Sequence, residues 1–139
     1  MKELLIVLIF GKTILLTPSP ILIGPEWVDI SISKQLVAIN EGASVLLDIS
    51  SLPHDKDLQA VRKEIDAKYP KGSVKGQLVT NDGVVHELFN VGLSWNKKAT
   101  RLILSSEQPI PKDIHFVKVR LRSEYLIETT YVYWKNHSL

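Results

Sequence analysis

The chain is predicted to be mainly β, an immunoglobulin-like antiparallel β-sandwich with one helical insertion. Short runs rich in β-branched and aromatic residues recur between turn-forming residues at fairly regular spacing, which is typical of sandwiches and barrels. Only residues 55–69 have the periodicity of an amphipathic helix. A β-barrel and an α+β sheet crossed by the helix are the alternatives, since the Cys-Trp-Cys pattern of true immunoglobulin domains is absent.

The strands are predicted from runs of alternating apolar and polar residues, roughly seven to nine in number. The runs cover residues 27–32, 36–39, 43–49, 73–80, 84–90, 92–95, 101–105, 114–122 and 126–134. The turn Asn81-Asp82-Gly83 predicts a hairpin between residues 73–80 and 84–90, because an Asp-Gly pair supplies the positive φ that such turns need.

The predicted helix has an apolar stripe, a start signal and a stop signal. Leu58, Val61 and Ile65 recur at helical spacing. Asp55 precedes them as an N-cap, and Pro70 with Gly72 ends the helix. Such a helix is expected to lie on the sheet and bury its stripe.

Composition limits the chemistry that the chain can support. It has 139 residues, of which 45% are hydrophobic and 23% charged, and a net charge of +2, so one globular domain is expected and a nucleic-acid partner is not. It has no cysteine, which excludes disulfides, zinc-thiolate sites, iron–sulfur clusters, a thiol nucleophile and a lipoprotein anchor. No cofactor is predicted.

Residues 1–25 are predicted to be a signal peptide or signal anchor, followed by the β domain at 26–139. Lys2 precedes the apolar run Leu4–Phe10, as in secretory signals. Pro18 and Pro20 prevent a continuing helix.

Some features of this segment depart from the signal-peptide pattern. Glu3 and Lys12 add charges, no Ala-x-Ala site follows, and the apolar stretch is shorter than the about 20 residues that span a membrane. The expected location is the cell envelope, either periplasmic or membrane-anchored through an uncleaved segment. The alternative is a cytoplasmic protein in which this run is a buried strand or helix.

The last two runs are predicted to form a hairpin around Glu124-Tyr125. This register pairs Arg122 with Ile127 and Arg120 with Thr129, and it places Lys118 opposite Tyr131. Alternation then predicts an inward face and an outward face. The inward face holds Val117, Val119, Leu121, Val132 and Trp134, and the outward face holds Phe116, Lys118, Arg120, Arg122, Tyr131 and Tyr133.

The outward face of this hairpin is the candidate site, formed by Lys118, Arg120, Arg122, Tyr131 and Tyr133. Tyr and Arg are the residues that most often anchor interfaces, so this face is predicted to bind an acidic protein partner. The alternative is an ordinary solvated sheet face with cross-strand contacts.

No catalytic or metal-binding motif is recognisable. The histidines, His54, His86, His115 and His137, have no metal-ligand spacing, and His115 is predicted to point into the core. A nucleophile elbow, a P-loop and a dinucleotide-binding motif are all absent. A pocket holding His86 or His115 beside an acidic residue would indicate an enzyme.

The sequence therefore predicts a non-catalytic cell-envelope binding module, of the immunity, inhibitor, adhesion or assembly-accessory type. It recognises its partner through a sheet face or loops. The alternatives are a small envelope hydrolase, whose polar groups converge only in the folded chain, and a cytosolic structural protein.

Overall fold

The alternating runs form ten strands in a computed structural model that describes residues 13–37, 43–49, 58–95, 100–111 and 115–135. Predictions about Leu4–Phe10, His54, Asp55 and His137 lie outside these ranges. The strands are β1 (Thr13–Leu15), β2 (Ile21–Ile23), β3 (Val28–Val37), β4 (Ser44–Asp48), β5 (Val74–Thr80), β6 (Val85–Trp95), β7 (Thr100–Ser105), β8 (His115–Ser123), β9 (Ile127–Thr130) and β10 (Val132–Lys135). A helix, α1 (Leu58–Lys68), lies between β4 and β5 in the sequence.

Eight strands form one antiparallel, curled sheet in the order β1-β10-β4-β7-β6-β5-β8-β3. The other two, β2 and β9, pair as a separate antiparallel ribbon. The mainly β class is thus confirmed, and the described residues contain one helix. The immunoglobulin-like arrangement is not confirmed, because the large sheet is continuous from β1 to β3.

The inner face of the curled sheet encloses one apolar core. The ribbon contributes Ile23 and Ile127 to this core, and the helix side contributes Ile65 and Tyr69. The largest fully buried side chains are Trp134, Phe116, Ile23, Leu47, Ile65, Leu78, Leu88, Leu104, Ile110, Leu121, Ile127 and Val45. Each such apolar side chain contributes roughly 1.5–3 kcal/mol, so the core holds the sheet, the ribbon and the helix together.

The β5–β6 hairpin forms as the Asp-Gly turn predicts. Gly83 has a φ of +88°, which an L side chain rarely adopts. The backbone N–H of Thr80 donates to the carbonyl of Val84 at 2.9 Å. Beyond the hairpin, β6 continues to Trp95 as one strand where two were predicted, with a register irregularity between Asn90 and Gly92.

The helix ends at the Pro70–Gly72 turn, as predicted, and the buried side chain of Asn90 on β6 binds this turn to the sheet. Its Oδ1 accepts the N–H groups of Gly72 at 2.8 Å and Val74 at 3.1 Å. Its Nδ2 lies 3.2 Å from the carbonyl oxygens of both Tyr69 and Pro70.

The hairpin predicted between residues 114–122 and 126–134 is wrong. The pairing partners of β8 are β5 and β3, whereas β9 pairs with β2, and β10 lies between β1 and β4. A strand has only two edges, and both edges of β8 are occupied. The chain after Ser123 therefore turns into the ribbon, and it crosses to the large sheet at Tyr131.

The inward face predicted for these strands is correct at Val119, Leu121, Val132 and Trp134, which are all buried. Two predictions near the start of β8 are wrong. Phe116 is fully buried and His115 is exposed. The register against β5 shifts between Lys118 and Phe116, and such an extra residue reverses the sides on which the preceding side chains lie.

Part of the segment predicted to be a signal lies in the fold. Residues 13–15 form β1 on β10, and residues 21–23 form β2 on β9. The Leu16 N–H donates to the Val132 carbonyl at 2.8 Å. In the described ranges, no helix has the length and apolar character needed to cross a membrane. The role of Leu4–Phe10 stays a prediction.

Candidate functional site

The outer face of β3, β8, β5 and β6 carries the three predicted basic residues. Lys118, Arg120 and Arg122 alternate with buried residues along β8 and are half-buried. The structure does not bring the predicted tyrosines to them, since four strands separate β10 from β8 in the sheet order. Tyr133 instead lies under Arg101, whose guanidinium carbon is 4.1 Å from the ring centre. Tyr131 lies half-buried at the break between β9 and β10.

Arg120 belongs to a side-chain hydrogen-bond relay across four strands. Its Nε donates to Asp29 Oδ1 at 2.8 Å, and its Nη1 donates to Gln77 Oε1 at 3.0 Å. The Nε2 of Gln77 then donates to Glu87 Oε1 at 2.9 Å. These residues are direct cross-strand partners along one row, so the relay follows from the register.

Asp29 neutralises much of the charge at this end of the row. The hydrogen bond from Arg120 is the largest cause that lowers the pKa of Asp29, and the charges of Arg120 and Lys118 add to it. Lys118 Nζ lies 3.7 Å from Asp29 Oδ2. Lys118 and Arg120 therefore have an intramolecular acidic partner.

Arg122 lies in a different environment. It is the direct cross-strand partner of Lys75, and like charges in this position repel each other. The ring of Trp27 lies 5.6 Å from the Arg122 guanidinium carbon. Lys75 also pairs with Phe89, and Lys71 Nζ lies 5.9 Å from the centre of the Phe89 ring.

Trp27, Lys71, Lys75, Phe89 and Arg122 are called the basic cluster below. Within the described part of the chain, no carboxylate forms an ion pair with its three cations. Both aromatic rings are half-buried, and both lysines are exposed. The arrangement offers positive charge and aromatic surface side by side, which suits a ligand that carries carboxylates.

Sequence reasoning found Arg122 and missed the other members of the cluster. The alternation in β5 places Lys75 outward, so the orientation of Lys75 could be predicted from the sequence. The proximity of Lys75 to Arg122 could not be predicted, because the two residues come together through the pairing of β5 with β8.

The histidines within the described residues are His86 and His115, and His115 is exposed. His86 faces the interior, and its ring meets Phe116 edge-on with ring centres 5.9 Å apart. The buried Nε2 of His86 has no hydrogen-bond partner among the described residues. Within those residues, no three His, Cys, Asp or Glu side chains are grouped so that they could hold a metal ion.

Comparisons of the chain with protein-family models, with curated proteins and with solved structures give no match.

Proposed function

We propose that this protein is a non-catalytic binding module that recognises an acidic protein partner through the basic cluster. The observation that supports this most strongly is the pairing of Lys75 with Arg122, two cations with no acidic partner in the described chain. Carboxylates of a partner would relieve that repulsion and would form charge-assisted hydrogen bonds with the guanidinium group.

The aromatic members of the cluster support a protein partner. Trp and Arg are enriched among the residues that dominate binding energy at interfaces. Trp27 lies against both Arg120, at 5.0 Å, and Arg122, at 5.6 Å. The backbone ladders that join β3, β8, β5 and β6 position the cluster on the sheet.

The proposed location is the cell envelope, reached through the apolar run Leu4–Phe10. The cytoplasm is the alternative location. An immunity, inhibitor, adhesion or assembly-accessory role is compatible with this location and with binding through a sheet face.

Reversal of two charges tests the basic cluster. In the Lys75→Glu, Arg122→Glu variant, affinity for a fluorescently labelled poly-glutamate peptide should fall at least about tenfold. The physical reason is that attraction is replaced by repulsion at the contact. The measurement is fluorescence anisotropy at low salt, where surface charges are least screened.

The matched control is Arg62→Glu with Lys63→Glu, which makes the same change in net charge on the exposed surface of α1. This control should lose much less affinity. Equal losses in the two variants would show that only net charge matters, and they would contradict a site at the cluster. A wild-type protein that does not bind the peptide at a concentration where it is monomeric would contradict the proposal as well.

A further inference from the structure

An exposed apolar patch lies beside the basic cluster, formed by Leu22, Tyr125 and Leu126. These residues are 57%, 48% and 50% exposed. Ile23 and Ile127 pair directly and point into the core. Leu22 and Leu126 directly precede these two residues in the sequence, and their exposure places them on the outward side of the ribbon.

Backbone hydrogen bonds bring this patch and the cluster to one end of the molecule. The Ser123 N–H donates to the Gly24 carbonyl at 2.8 Å, and the Glu124 N–H donates to the Ser73 carbonyl at 3.0 Å. The connections β2–β3, β8–β9 and α1–β5 thus meet there. Trp27 and Lys71 lie on the first and the last of these connections.

Two exposed carboxylates occur at the same end. Glu26 precedes Trp27, and Glu124 follows Arg122 by two residues. Neither forms an ion pair within the described residues. This end therefore has an apolar patch with unpaired charges of both signs around it.

We propose that the acidic partner of the basic cluster is a second copy of this chain, an inference that rests on the proposed function. A two-fold contact uses the same patch on both copies, so it requires a surface that is complementary to itself. The apolar patch would meet its equivalent, and Arg122 and Lys75 would meet Glu124 and Glu26 of the second copy. Apolar residues inside a polar rim are the usual anatomy of an interface.

An anionic lipid surface fits this end less well. Lys71, Lys75 and Arg122 would be attracted to anionic headgroups, but Glu26 and Glu124 lie among them and would be repelled. Charges of both signs fit a protein surface with both signs.

A charge swap tests the two-fold contact. Wild-type protein should sediment as a dimer at about 100 μM, well above a micromolar dissociation constant. Arg122→Glu and Glu124→Arg should each raise the dimer dissociation constant at least about tenfold, because like charges then face each other. Equal mixing of the two variants should restore a dimer, because every reversed charge then faces an opposite charge.

The controls are Arg62→Glu and Glu107→Arg, which change exposed residues of the same types elsewhere and should leave the dimer intact. The double variant Arg122→Glu, Glu124→Arg should dimerise on its own, which also shows that substitution at these positions permits folding.

A monomeric wild type at this concentration would overturn the second-copy proposal, as would a mixture that stays monomeric. If a monomer still binds the poly-glutamate peptide through the cluster, the proposed function survives. If it binds neither the peptide nor itself, both proposals fail. A monomer that instead binds vesicles containing phosphatidylglycerol would assign this end to lipid.

Discussion

The single side chain of Asn90 satisfies four backbone groups of the turn that follows the helix. Its amide group has two donor hydrogens and an oxygen with two lone pairs, and contacts to four backbone groups use all of them. A carboxylate could not donate to the carbonyl groups of Tyr69 and Pro70. An apolar residue would leave buried backbone groups unsatisfied, at roughly 1–3 kcal/mol each.

Asn90→Ala should therefore lower the free energy of unfolding by about 2–4 kcal/mol, which assumes that water satisfies some of the groups exposed by the change. Urea denaturation measures this quantity. Asn81→Ala is the matched control, because Asn81 is exposed in the β5–β6 turn, and it should stay within about 0.5 kcal/mol of wild type. Equal effects of the two substitutions would contradict the role assigned to Asn90.

Sequence reasoning at this scale succeeded where strict alternation holds. Val119, Leu121, Lys118 and Arg120 lie on the predicted sides of β8. His115 and Phe116 do not, because the register shift beside Val117 is invisible in the sequence pattern. Asn90 gave no signal, since an isolated Asn in a strand is usually solvent-facing, and its partners lie on another element.

Among the elements, the strands β3, β8, β5 and β6 are joined by the relay through Arg120 as well as by their backbone ladders. Surface ion pairs contribute little alone, typically about 0–1 kcal/mol. The relay also joins the edge strand β3 to β8, because Asp29 on β3 accepts a hydrogen bond from Arg120 on β8. Protonation of Asp29 would weaken this contact between the two strands.

In the Arg120→Gln variant, the pKa of Asp29 should rise toward its ordinary value. Lys118→Gln should cause a smaller rise, because Lys118 is a lesser cause of the lowered pKa than Arg120. Carboxyl ¹³C NMR titration measures both. Asp82 is an internal control, since its pKa is lowered chiefly by a hydrogen bond from Thr80 and should not change. A larger rise in Lys118→Gln would contradict this order.

The sign of the linked stability follows from the lowered pKa. Folding favours the charged form of Asp29, so this contribution is fully present above the pKa of the unfolded chain, about 3.9. It is lost as the pH falls through the lower pKa of the folded state. In the Asp29→Asn variant, the free energy of unfolding should lack this part of its dependence on pH.

Most of the strands could be predicted from the sequence, because alternation and turn residues are local properties. The β5–β6 hairpin was predicted correctly for the same reason. The hairpin between β8 and the last strands was not, because pairing depends on which distant strands compete for each edge. The predicted grouping of Tyr131 and Tyr133 with the basic residues depended on that hairpin, so only Lys118, Arg120 and Arg122 share one face.

For the whole molecule, we expect the N-terminal strands β1 and β2 to determine where a shortened chain can still fold. β1 and β2 fall within the segment predicted to be a signal, yet Ile23 is 0% exposed in the core. A cut after residue 25 would remove both strands and leave β9 without its partner.

Deletion of residues 1–25 should lower the melting temperature by more than about 10 °C or abolish cooperative unfolding. Loss of one buried Ile costs about 2–5 kcal/mol, and each kcal/mol shifts a domain of this size by several degrees. Circular dichroism during heating measures the change. Deletion of residues 1–12 keeps every described strand and should retain a cooperative transition. If the protein that lacks residues 1–25 melts at the wild-type temperature, β1 and β2 are dispensable for stability.

The pairings of β1 with β10 and of β2 with β9 also determine when the fold can be completed during synthesis. The partners of the first two strands are made about a hundred residues later. At roughly 5–20 residues per second, this delay lasts about 5–20 s. Throughout it, residues 13–23 lack their native partners on the nascent chain, and this interval is the time in which a chaperone or an export machine can bind them.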